Sequence, residues 1–176
     1  MTNGLEELVL YFSLKYEGDF QKIYEAVMSK EKVDEKLKNE LMEKLKCKYV
    51  TIFSEDYPEM LKQINCPPFV LYYYGNLKLL DTVTVAVEGT VNPTDYGKIA
   101  TEKVVNELIS KNYTVVSGLG LGVNAIAHDV SIKNNGKTIA ILGSGIDNCY
   151  PKENINLYNE IKSNHLLLSE YSFNRL

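Results

Sequence analysis

TVVSGLGLG, residues 114–122, decides the fold. Thr114, Val115 and Val116 form a short β-branched run of the kind that builds a buried strand. Ser117, Gly118, Gly120 and Gly122 then make a turn with little side-chain bulk, and an apolar-periodic stretch from about Val123 to residue 134 reads as the helix that follows. Backbone N–H groups of such a turn, and the positive end of the helix behind it, can face a phosphate. The unit recurs on either side. TVTVAVEGT (82–90) leads into a helix over about 94–111, and TIAILGSG (138–145) closes another strand on glycine. In a parallel sheet these three turns gather at the carboxyl edge of the strands, where open α/β folds bind ligands.

Moving outward, the spacing predicts further strands near Tyr49–Phe53, Phe69–Tyr74 and Leu166–Ser169. The helices at 94–111 and 123–134 are long enough for right-handed crossovers between parallel strands. Residues 3 to about 46 read as helices. Leu5, Leu8, Val9 and Phe12 share a face, as do Phe20, Ile23, Tyr24 and Val27, and Val33, Leu37, Leu41 and Leu45 recur every four residues in a charged segment that reads as a solvated helix. Pro67-Pro68 marks a chain turn. The expected organisation is a helical segment over 1–48 and an α/β domain over 49–176.

Composition narrows the function. The chain has 176 residues, 45% of them hydrophobic, enough for a core and too many for a disordered chain. No apolar run approaches the roughly 20 residues that cross a bilayer, and MTNGLEELVL lacks the pattern of a signal peptide, so a cytoplasmic protein without a membrane partner is expected. The three cysteines, Cys47, Cys66 and Cys149, form no CxxC pair, and His128 and His165 stand alone, so neither a metal nor another cofactor is expected. The net charge is −4 and Arg175 is the sole arginine, which speaks against a broad nucleic-acid surface.

The candidate ligand-binding residues are those of the three turns: Gly89 and Thr90; Ser117, Gly118, Leu119, Gly120, Gly122, Val123 and Asn124; and Gly143, Ser144 and Gly145. The hydroxyls of Thr90, Ser117 and Ser144 can donate to phosphate or ribose oxygens, or serve only to cap the following helix. His128, six residues beyond Gly122, can reach the cleft edge or simply pack. The glycine spacing matches neither the P-loop nor the dinucleotide fingerprint, and GSG at 143–145 does not form a nucleophile elbow, so no catalytic residue is assigned.

The order of motifs DYPEMLKQINCPPFVLYYYGN (56–76), VAVEGTVNPTDYG (85–97), TVVSGLGLGVNAIAH (114–128), KTIAILGSGIDNCYPKEN (137–154) and LLLSEY (166–171) resembles the DNA-processing protein A family, also called Smf. The resemblance implies a Rossmann-like domain of the SLOG type, a parallel sheet with helices on both faces, and proteins that bind single-stranded DNA and help load RecA. The chain departs from the family in its charges. Val91 and Leu121 stand where the family's pocket arginines are expected, Glu88 adds an acid, and a downstream basic segment is absent.

The retained glycine frame without those arginines leads to a first expectation: a non-enzymatic protein that binds a phosphate-bearing, nucleotide-derived small molecule, sensing or sequestering a nucleotide signal, with a phage or mobile-element origin in keeping with so short a chain. The alternative is a DNA-processing protein with weak single-strand binding and a RecA contact. An open sheet edge after Leu166–Ser169 further suggests a homo-oligomer.

Overall fold

A computed structural model describes residues 4–173. Residues 1–3 and 174–176, with Arg175 and the outer limits of both expected segments, lie outside the described residues. Three helices come first: α1 (Gly4–Lys15), α2 (Phe20–Met28) and α3 (Glu35–Lys44). Asp19 caps α2 and Asp34 caps α3, each side chain accepting backbone N–H groups of the first turn.

Among the described residues six strands form one sheet: β1 (Lys48–Thr51), β2 (Val70–Gly75), β3 (Thr84–Ala86), β4 (Thr114–Gly118), β5 (Lys137–Leu142) and β6 (Leu166–Ser169). Between the later strands run α4 (Asp95–Ser110), α5 (Val123–Lys133) and α6 (Ile155–Asn164). The strand order is β1-β2-β6-β5-β4-β3. β3, β4, β5 and β6 pair in parallel, while β1 with β2 and β2 with β6 pair antiparallel.

The α/β, Rossmann-like class read from the sequence holds, with two particulars that differ. First, β6 is not an edge. The β1–β2 hairpin lies against it, with Tyr72 opposite Ser169 and Tyr74 opposite Leu167. The edges are β1 and β3, so the argument for a homo-oligomer from an open β6 falls. Second, the long helices share one face. Four parallel strands in consecutive order place successive right-handed crossovers on the same side. On that side α5 and α4 pack through Ala127, Val130 and Val105 on Val115 of β4. Next to them, α1 and α6 pack Leu10, Leu14, Tyr158 and Ile161 against Tyr72, Ala140, Leu142 and Leu167. The other face, carrying Leu71, Ile139, Leu166 and Leu168, is covered by a 3-10 turn at Leu77–Asp81 and by Tyr57 from the β1–β2 connection.

α1 therefore belongs to the core of the sheet, and α2 and α3 pack on α1 through Tyr11, Phe12, Ile23 and Leu41. Each fully buried aliphatic side chain in this core contributes at most about 1.5–3 kcal/mol of burial free energy. Tyr72, wholly buried, donates its hydroxyl to Ser13 at 2.9 Å and so ties β2 to α1 through a satisfied polar contact.

Candidate functional site

The parallel strands deliver the three glycine turns to one edge, as the order of elements requires. A cleft of about 710 Å³ opens there. Its walls are Gly118, Leu119, Gly120 and Leu121 after β4, Ile141, Leu142, Gly143 and Ser144 at the end of β5, Val91 from the turn after β3, and Tyr150 with Pro151. None of these lining residues carries a charge. Val91, Leu121, Ile141 and Tyr150 are 57%, 38%, 47% and 68% exposed, an apolar and aromatic surface left open to solvent. A smaller groove of about 450 Å³ between α5 and α6 has Asp129, Glu153 and Glu160 among its walls.

The turn after β4 is held from several sides. Gly122 has φ +71°, and a Cβ there would fall 2.3 Å from the Thr90 carbonyl oxygen, so only glycine fits. The first N–H of α5, on Val123, donates to that same carbonyl at 3.1 Å. Asn154, nearly buried, donates its amide to the carbonyls of Leu119 (2.9 Å) and Gly120 (3.0 Å). His128 sits beneath, fully buried. Its Nε2 lies 3.0 Å from the Gly118 carbonyl, which can only accept, so Nε2 carries the proton and Nδ1 accepts from the Thr138 hydroxyl at 2.7 Å. Burial lowers its pKa from 6.5 to about 4, outweighing the favourable contact with the Gly118 carbonyl, and the ring is neutral at physiological pH.

The candidate residues thus divide. Gly118, Leu119, Gly120, Gly143 and Ser144 line the cleft. Gly89 presses against Val123, where a Cβ would come within 2.7 Å of the valine side chain, and Val123 is itself buried. The hydroxyls offered to a ligand are mostly engaged within the protein. Ser117 donates to the Val87 carbonyl at 2.7 Å, Ser144 to that of Asn148 at 3.0 Å, and exposed Thr90 accepts the Asn92 N–H at 3.2 Å. His128 supports the turn from below rather than reaching the cleft. Gly145 lies in a loop pinned by Asn148 N–H on its carbonyl, Tyr158 on the Ile146 carbonyl and Tyr74 on Asp147.

In the sequence Glu88 stands out only as an added acid. Its carboxylate accepts the Gly118 N–H at 2.8 Å through Oε1 and the Asn124 amide at 2.8 Å through Oε2, with Ser117 Oγ 3.3 Å from Oε1. Sequence spacing does not announce such a contact, nor that of Asn154, because the partners are 30 to 36 residues apart. Among the described residues no group of three His, Cys, Asp or Glu side chains could hold a metal, and no helix is long and apolar enough to cross a membrane.

The fold and the cleft define a Rossmann-like α/β protein with an open cleft at the carboxyl edge of its parallel strands. The chain belongs to the DNA recombination-mediator protein A family, whose model matches residues 48–175. It is 41% identical over 127 residues to protein Smf of Synechocystis, covering 70% of this chain and 32% of that protein. With the DNA processing protein DprA of Bacillus subtilis it shares 38% over 123 residues, 69% of this chain and 41% of that one. The chain thus spans roughly a third to two fifths of these relatives' length. The crystal structure of DprA from Streptococcus pneumoniae superposes with a TM-score of 0.76 at 31% identity, covering 97% of this chain and 64% of that one. The Helicobacter pylori protein, whose structure is described for its single-stranded DNA binding mode, gives 0.66 at 36%, covering 74% and 59%.

Proposed function

We propose that this chain binds single-stranded DNA in DNA processing, taking unstacked bases into the uncharged cleft and leaning little on phosphate contacts. The observation that carries the reading is the cleft wall itself: exposed Tyr150 beside Val91, Leu121 and Ile141 offers aromatic and aliphatic surface to the flat face of a base. Kinship with proteins that process DNA, one of them described for its single-strand binding, puts DNA ahead of the free nucleotide in this reading. No catalytic step is proposed.

A cleft without arginine predicts a shallow salt dependence, since each phosphate neutralised by a basic side chain adds about 0.7 to the salt slope of a single strand. Lys98 is paired to Asp95 at 3.0 Å and Lys133 to Asp129 at 2.6 Å, which leaves Lys152, next to the cleft-lining Pro151, as a basic side chain that a phosphate can meet. Fluorescence anisotropy with a labelled oligothymidylate, read from low salt to about 150 mM, tests this. The expected result is modest affinity that changes little across the series and is competed by unlabelled oligonucleotide. A second reading, a nucleotide-derived small molecule, is favoured by the same lack of charge. It takes over if a mononucleotide binds at concentrations where the oligonucleotide does not bind even at low salt.

A further inference from the structure

We infer that Glu88 is a specificity-determining residue of the cleft: an anion built into the chain that holds the place where a phosphate would meet the turn after β4. This deepens the reading above and rests on the cleft being the ligand site. Two donors of this turn, the N–H of Gly118 and the side-chain amide of Asn124, already point at the Glu88 carboxylate at 2.8 Å. The first N–H of α5 is spent on the Thr90 carbonyl, and the Ser117 proton goes to the nearer Val87 carbonyl at 2.7 Å.

The glycine makes room for this pairing: Asn124 Nδ2 lies 2.9 Å from where a Cβ of residue 118 would be, so a side chain there would press on the amide that reaches Glu88. A phosphate entering here would have to expel the carboxylate and then remain beside it, with like charges a few ångströms apart and the donors shared between them. The chain has therefore filled these two donors of its glycine turn with a carboxylate of its own. What remains open is the uncharged wall from Gly120 to Tyr150, which suits a base, while the sugar-phosphate portion of the ligand stays outside. Gly118 itself lines the cleft, so Glu88 acts directly beside the bound base.

Calorimetric titration of the full chain with inorganic pyrophosphate and with oligothymidylate tests this in the wild type, E88A and E88Q. Wild type is expected to show no saturable pyrophosphate binding, while E88A gains at least about tenfold, and E88Q gains in the same direction with the shape of the side chain preserved. Oligothymidylate binding by E88A should acquire a steeper salt slope, by about 0.7 for one added phosphate contact. Pyrophosphate binding to wild type as tight as to the variants overturns the inference. Should both variants melt early, wild type alone decides: a Gly118 amide resonance unmoved by pyrophosphate supports the inference, and one that shifts in a saturable way overturns it. Oligothymidylate binding unchanged by either substitution, with no gain for pyrophosphate, sinks the role of Glu88 and leaves the base-binding cleft standing. The converse, pyrophosphate gained with oligothymidylate bound by none of the three, upholds Glu88 and sinks the cleft reading.

Discussion

The turns after β4 and β5 look alike as text, SGLGLG against LGSG, and do opposite work. At Gly122 the backbone takes φ +71° and a side chain would strike the carbonyls of Thr90 and Val91 at 2.3 and 2.5 Å. At Gly143 a Cβ would meet nothing within 4 Å, and its φ is not in the left-handed region. One glycine is demanded by the fold. The other is not demanded by the fold, and its missing side chain leaves the cleft open. Glycine at the end of a strand is therefore two different signals, and only the surroundings of the Cβ separate them.

The sharpest way to break this contrast is Gly122→Ala, which should cost roughly 2–4 kcal/mol through left-handed strain and the collision with backbone oxygens. Denaturant unfolding reads it, and a change under about 0.5 kcal/mol would erase the distinction.

A slightly smaller effect comes from His128, which supports the same turn. Its folded pKa of about 4 lies below the unfolded value of about 6.5, so the unfolded chain holds a proton that the native one lacks in that interval. Stability should fall by up to about 3 kcal/mol as pH drops from about 6.5 to about 4, and level off below. Half-buried His165, also depressed by burial, adds in the same sense, and Glu170, raised by burial, in the opposite one. Unfolding curves across that range check the sign, and a flat profile would mean that the ring charges in place.

On the other side of the contrast, Gly143→Phe should leave stability within about 0.5 kcal/mol and weaken oligonucleotide binding by at least about tenfold. Anisotropy alongside thermal melting separates the two quantities, and a destabilised protein or an unimpaired binder would put Gly143 back with Gly122.

The smallest effect belongs to the double substitution V91R/L121R, which places basic groups on two positions of the cleft wall. Affinity for single-stranded DNA should rise several-fold at low salt, with the salt slope steeper by about 1.4. An unchanged slope would mean that the strand's phosphates do not pass these positions.

Much of the fold is legible in local text. Val115-Val116, Ile139 to Leu142 and Leu166 to Leu168 announce strands because β-branched and aliphatic runs bounded by turn residues leave few alternatives. The same runs say nothing of neighbours. LLLS has no feature that selects β2 as partner on one flank and β5 on the other, and so its expected edge was wrong. At the site, the glycines were legible and the side chains less so. Ser117 and Ser144 carry hydroxyls suited to a ligand, yet buried hydroxyls satisfy the nearest carbonyl first. The bonds of Glu88 and Asn154 are not legible in the sequence because they exist only once segments some 30 residues apart have met.

The strand order also sets a timetable. β6, the last of these six strands along the chain, lies in the middle of the sheet and joins the antiparallel hairpin of β1 and β2 to the parallel block of β3, β4 and β5. Until residues 166–169 emerge from the ribosome, β2 lacks one of its two neighbours, β5 lacks one of its own, and the faces of Tyr72 and Ala140 have no Leu167 between them. The two halves are bound to wait, and the final strand closes them in a single non-local step. Such a sheet gains its cooperativity only once β6 has emerged, at the cost of two exposed strand flanks until then.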